Sequence, residues 1–168
     1  DSDLCKRGHV EADQTAVTEA IKACNVSVVK RLLRNPDVRM HGKVPRQNYT
    51  YLHLAVLAAR HVFDSDCEFW FSRPACLDII QVVAAKGFGM KVDVYDESSI
   101  AGIKGATPLQ YAAFLWDEEV YRFLIKIGAK RDLCSGYQDQ SVYHFAVRAG
   151  SACGEAPDCV KEWGDRVL

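Results

Sequence analysis

Nine residues constrain this chain more than any others: Gly105-Ala106-Thr107-Pro108-Leu109-Gln110-Tyr111-Ala112-Ala113. The Thr107 hydroxyl is suited to cap a helix, and Pro108 suits the first helical position, where an N–H has no intrahelical partner anyway. Leu109, Ala112 and Ala113 then share one helical face, and the two alanines let a neighbouring helix come close. A second helix start follows at Asp117-Glu118-Glu119, whose acidic side chains favour a helix N-terminus. Val120, Phe123, Leu124 and Ile127 supply its apolar stripe, and Gly128 offers a left-handed stop. The stretch predicts a helix, a tight turn, an antiparallel helix and a stop.

Such a unit cannot bury its own apolar face, so it requires neighbours. It resembles an ankyrin repeat, whose signature is T-P-L-H-x-A at a period of roughly 33 residues. Thr107, Pro108, Leu109 and Ala112 match that signature, Gln110 replaces its histidine, and Gly128-Ala129 matches the Gly-Ala after the second helix.

Three further units align on Thr107. Thr15-Ala16-Val17-Thr18-Glu19-Ala20-Ile21 opens a divergent one, with Cys24 where the family prefers glycine and Asn35-Pro36 as its stop. Thr50-Tyr51-Leu52-His53-Leu54-Ala55-Val56 opens another, whose second helix is expected from Leu77 to near Gly87. Its two halves are about 16 residues further apart than in the Thr107 unit, which places an aromatic insert, with Phe63, Phe69, Trp70 and Phe71, at about residues 61–75. The insert is expected to pack on the array rather than project to a partner, because exposed aromatics cost solubility. Lys91-Val92-Asp93-Val94-Tyr95 alternates like a short strand of an enlarged hairpin. Ser141-Val142-Tyr143-His144-Phe145-Ala146-Val147 opens the last unit, with Gly150 at the turn position and a delayed second helix from Asp158. The resemblance thus implies an all-α, ankyrin-type helix–turn–helix solenoid with short β-hairpin loops. Residues 1–13 form an N-terminal arm or cap, and 14–168 the array, with repeats near 14–46, 47–103, 104–137 and 138–168.

Composition narrows the function classes. With 21 basic and 22 acidic residues the chain lacks the basic excess of a broad nucleic-acid surface. No apolar run approaches the ~18 residues of a membrane span. The start at Asp1 suggests a segment of a longer protein. Seven irregularly spaced cysteines, an odd count, point away from a disulfide framework and toward a reducing, cytoplasmic or nuclear location, with Cys24 as a small buried hydrophobe. Asp64, Asp66 and Glu68 cluster in the insert, where a solvated charged rim outweighs catalysis, and no phosphate-binding glycine loop or H-E-x-x-H occurs. Cys134, His144, Cys153 and Cys159 are candidate zinc ligands, but they are separated by 9, 8 and 5 intervening residues, with no C-x₂-C knuckle. No cofactor, metal or catalytic residue is therefore expected. His53 and His144 stand at the family's histidine position, which implies a structural hydrogen bond to the adjoining hairpin.

The resemblance implies protein–protein recognition: hairpin tips and the outward positions of the first helices form a concave surface that binds a peptide or partner protein. A targeting domain of a larger enzyme and a zinc-stabilised module are the alternatives. The hairpin positions implied are Arg46, Gln47 and Tyr49, Ile103, Lys104 and Ala106, and Tyr137, Gln138 and Gln140. The helix positions are Lys22 and Ala23, Leu57 and Ala58, Phe114 and Leu115, and Arg148 and Ala149. Phe114, Leu115 and Trp116 stand out, because the family places variable residues at the first two positions and glycine at the third. They are either covered by the aromatic insert or open as an anchor for a ligand.

Overall fold

The computed structural model describes residues 12, 14–35, 44, 47, 49–60, 73–85, 92–96, 103–135, 139–153 and 157–167, and within 150–160 only the helical backbone. Eight helices occur among them: α1 (residues 14–22), α2 (Val26–Leu32), α3 (Tyr51–Ala58), α4 (Arg73–Ala84), α5 (Pro108–Phe114), α6 (Glu118–Lys126), α7 (Val142–Cys153) and α8 (Pro157–Val167). The described residues contain no strand ladder. The chain forms two compact units, residues 1–90 and 91–168.

In the first unit α3 and α4 pack together, and α2 packs on α4. α3 is buried along its whole length, from Tyr51 to Ala58. A helix that is apolar all round must be covered on all sides. Its start is fixed by a reciprocal cap: Thr50 Oγ1 accepts from His53 N at 3.4 Å, while Thr50 N donates to His53 Nδ1 at 3.3 Å. α2 begins at Asn25, whose side chain accepts from Val28 N. A disulfide between Cys24 and Cys76, with Cα atoms 5.1 Å apart, ties the entry of α2 to α4. Cys24 is thus a bridged residue rather than the expected free thiol.

In the second unit α5 pairs with α6 and α7 with α8, and the pairs stack, α5 on α7 and α6 on α8. Thr107 caps α5 as Thr50 caps α3: its Oγ1 accepts from Gln110 N, and its N–H donates to Gln110 Oε1 at 2.9 Å. Asp117 caps α6 through Val120 N. Gly128, at φ 103°, closes α6 in the left-handed region that favours glycine. Across α6 and α8, Glu118 accepts from Arg122 and pairs with Arg166, at 3.0 and 2.9 Å.

Three boundaries differ from the sequence expectation. α4 starts at Arg73, four residues before Leu77, so 73–75 belong to a helix and not to the insert. The rest of the insert, with its four aromatic and three acidic residues, lies outside the described residues. α7 continues through Gly150 to Cys153, so part of the extra length before α8 extends the helix instead of lengthening the turn. Residues 92–96 are turn and irregular backbone, not a strand. Within them Asp96 is buried and accepts from Tyr111 Oη, while Tyr95 stays outside.

Candidate partner-binding surface

Among the described residues, α3, α5 and α7 are each preceded by a loop closed in one way. The residue before the cap accepts a backbone hydrogen bond from upstream: Tyr49 O from Val44 N, Ala106 O from Asp96 N, and Gln140 O from Ser135 N, at 2.9, 3.0 and 2.8 Å. In the two later loops a side chain answers in return, Asp96 Oδ1 accepting from Ala106 N and Ser135 Oγ from Gln140 N. Asp96 is buried, and its second oxygen accepts from Tyr111 Oη at 2.9 Å. Burial pushes its pKa up from the usual carboxylate value, against the opposing pull of the Ala106 and Tyr111 hydrogen bonds. Tyr111 Oη also lies 3.3 Å from Ile103 O, so one phenol braces both arms of the loop.

Closing the loops this way hides several residues expected to be open. Tyr49 and Ile103 are buried, as are Ala106 and, on the helices, Leu57, Ala58 and Ala149. Tyr49, Leu57 and Ile103 therefore present no open side chain to a ligand, and burial also raises the pKa of the Tyr49 phenol. Gln47, Ala23, Lys104 and Arg148 are exposed, and Lys22 and Gln140 are half-buried. Lys22 pairs with Glu19 at 2.9 Å. Arg46, Tyr137 and Gln138 lie outside the described residues.

Phe114, Leu115 and Trp116 end α5, half-buried all three. Trp116 has φ 50°, a left-handed conformation at the position where glycine is expected. Its indole Nε1 donates to Ala146 O on α7 at 2.8 Å, which pins it. Phe114 and Leu115 are left partly open beside a fixed neighbour.

Below this edge Gln110 links one helix pair to the next loop. Its Nε2 donates to Leu133 O and Gln140 O at 2.9 and 3.2 Å. Before α7, then, the hydrogen bonds to the adjoining loop come from a glutamine. His53 and His144 use Nδ1 on their own caps, Thr50 and Ser141. Cys134 is exposed with a free thiol. Among the described residues no group of three or more His, Cys, Asp or Glu side chains is arranged to hold a metal, and the side chains of Cys153 and Cys159 are not among them. Between α6 and α8, Tyr121 and Trp163 meet edge to face at 5.8 Å, with Arg131 6.0 Å above the Tyr121 ring.

Two exposed large residues escaped the sequence reading: Tyr143 and Val147, one turn apart on α7. They occupy the positions that Leu109 and Ala113 hold on α5, where the side chains are buried. The signal that could have found them is position within the array rather than residue type. No helix among the described residues is long and apolar enough to cross a membrane. No protein-family model matches the chain, and no curated protein matches it.

Proposed function

We propose that this chain is a protein-recognition module of the ankyrin type, which captures a peptide or partner protein on the edge formed in its second unit by the end of α5, by α7 and by the loops before them. Phe114 and Leu115 are the anchors, with Trp116 as their fixed support and Lys104, Gln140 and Arg148 as a polar rim. The carrying observation is the half-open pair Phe114–Leu115 beside a tryptophan held to Ala146 O. A rigid, partly desolvated aromatic at a helix end loses little entropy when a ligand covers it. The proposal assigns no catalysis, cofactor or metal to the chain. It also carries the expected cytoplasmic or nuclear setting, and the Cys24–Cys76 bond weighs against that setting, since reducing compartments disfavour disulfides.

The test selects peptides from a random displayed library on the intact chain, then measures their affinity for Phe114→Ala. The expected outcome is an almost unchanged melting curve with binding weakened at least about tenfold, equivalent to ~1.4 kcal/mol. Peptides that bind the variant as tightly as the parent would remove Phe114 from the reading.

A further inference from the structure

The bond between Cys24 and Cys76 joins two unlike places in the first unit. Cys76 lies inside α4, 2% exposed, among the buried residues Ile79, Ile80 and Val83 of that helix. Cys24 lies in the turn between α1 and α2. It is itself 7% exposed, but Ala23 and Asn25 on either side of it are open to solvent. The turn holds Cys24 at φ 47°, a conformation that glycine adopts freely and a residue with a Cβ adopts at a cost.

Among the described residues little else fastens α2. It has seven residues, too few to stand as a helix alone. Val29 is its one buried residue, followed at the C-cap by Leu33; Ser27, Val28, Lys30 and Arg31 are exposed. The Asn25 cap and the hydrogen bond from Asn25 N to Ala20 O are both local. Its main contact is with α4, the helix that carries Cys76. The disulfide is therefore the firmest tie on a short segment with little buried surface, and such segments open locally before the rest of a fold does.

We propose that Cys24–Cys76 is a reversible redox latch, which holds α2 on α4 when oxidised and releases it when reduced. Local opening of α2 brings the Cys24 sulfur to solvent while Cys76 stays seated in α4. A thiolate of a dithiol reductant attacks Cys24 Sγ, the S–S bond breaks, and Cys76 leaves as a thiolate that takes up a proton. The second thiol of the reductant loses its proton and attacks the mixed disulfide; Cys24 leaves as a thiolate and is protonated in turn. Two electrons have then passed from the dithiol, now a disulfide, to the two cysteines. Without the cross-link the left-handed turn at Cys24 loses its tie, and α2 loosens. The latch lies wholly in the first unit and the Phe114 anchor in the second, so neither reading depends on the other.

Hydrogen exchange on the intact chain, read by mass spectrometry, compares the oxidised protein with protein reduced by dithiothreitol. Differential alkylation reports the state of Cys24 and Cys76. The expected result is that α2 amides exchange at least about tenfold faster after reduction, a larger change than in α3, and slow again when oxidised glutathione restores the bond. Cys24→Ser lacks the bond and keeps the unfavourable turn, so its α2 exchanges like that of the reduced parent, and dithiothreitol adds nothing. Cys24→Gly lacks the bond but suits the turn, so its α2 exchanges more slowly than that of Cys24→Ser. Reduction that proceeds only in denaturant overturns the proposal, because the bond would then be sealed and purely structural. Equal α2 exchange in the oxidised and reduced protein overturns it too, as does Cys24→Gly exchanging no more slowly than Cys24→Ser.

Discussion

Cys24 and Trp116 sit in the left-handed backbone region at φ 47° and 50°, where a Cβ costs roughly 1–2 kcal/mol. Both positions join a first helix to a capped second one, and both are places where the sequence reading expects glycine. The shared geometry is visible in matching hydrogen bonds: Asn25 N to Ala20 O, and Asp117 N to Ala112 O, at 2.9 and 3.0 Å. Each non-glycine residue is held by something glycine cannot provide, a disulfide in one case and an indole hydrogen bond in the other. The departure from glycine was legible in the residues; the partner that compensates it was not, because Cys76 and Ala146 are distant in sequence. Asp96 was equally silent, since an aspartate before a glycine-rich stretch reads as an ordinary turn. Its folded pKa is raised above the unfolded value, so the folded state holds the proton more tightly. The stability this adds is present below the unfolded pKa and is lost as pH rises through the folded one. Asp96→Asn should flatten that acid-side slope while keeping stability at pH 7 within about 1 kcal/mol, because an amide oxygen still accepts from Ala106 N and its NH₂ can donate to Tyr111 Oη. Asp96→Ala should cost about 1–3 kcal/mol at pH 7, through loss of the carboxylate that accepts from Ala106 N and Tyr111 Oη. Urea titrations across the acid range measure both.

Helix starts were legible because they are local. Thr50, Thr107 and Asp117 each satisfy a backbone N–H within three residues and could be placed without knowing the fold; Asn25, which does the same for α2, was not singled out. Helix extents depend on packing and were less so. α4 gains a turn from Arg73, whose Nη1 donates to Ala59 O at the end of α3, a bond between residues 14 apart. α7 runs past Gly150 although glycine costs a helix roughly 1 kcal/mol. Face assignments from periodicity fared better: Ala112 and Ala113 are completely buried on the helix that packs between α6 and α7. Ala112→Leu should overpack that contact and lower stability by roughly 1–3 kcal/mol. A change within about 0.5 kcal/mol in equilibrium denaturation would mean that the site has room the packing does not suggest.

At the scale of the molecule, the repeated capping register was readable from Thr50, Thr107 and Ser141, but the division near residue 90 was not. Periodicity reports which residues seek cover, not where a chain divides into separate compact units. The Cys24–Cys76 pairing was likewise hidden among seven irregular cysteines, since any of them could have been its partner. The bond lies wholly within the first unit and closes a loop of 52 residues, a constraint on the unfolded chain worth roughly 4 kcal/mol. Cys76→Ala should therefore lower hydrogen-exchange protection in α2 and α4 while leaving α5 and α6 near their parental values. Equal loss in both units would show that they unfold as one.

The same cross-link has a mechanical meaning. Pulled from its two ends, a chain lengthens only by the segments that force can reach, and the covalent bridge shields everything between residues 24 and 76. At about 3.5 Å per extended residue, roughly 180 Å of contour is withheld. While oxidised, the first unit responds to tension as a short tether with a knot of structure that cannot be drawn out; a reductant turns the withheld length into slack.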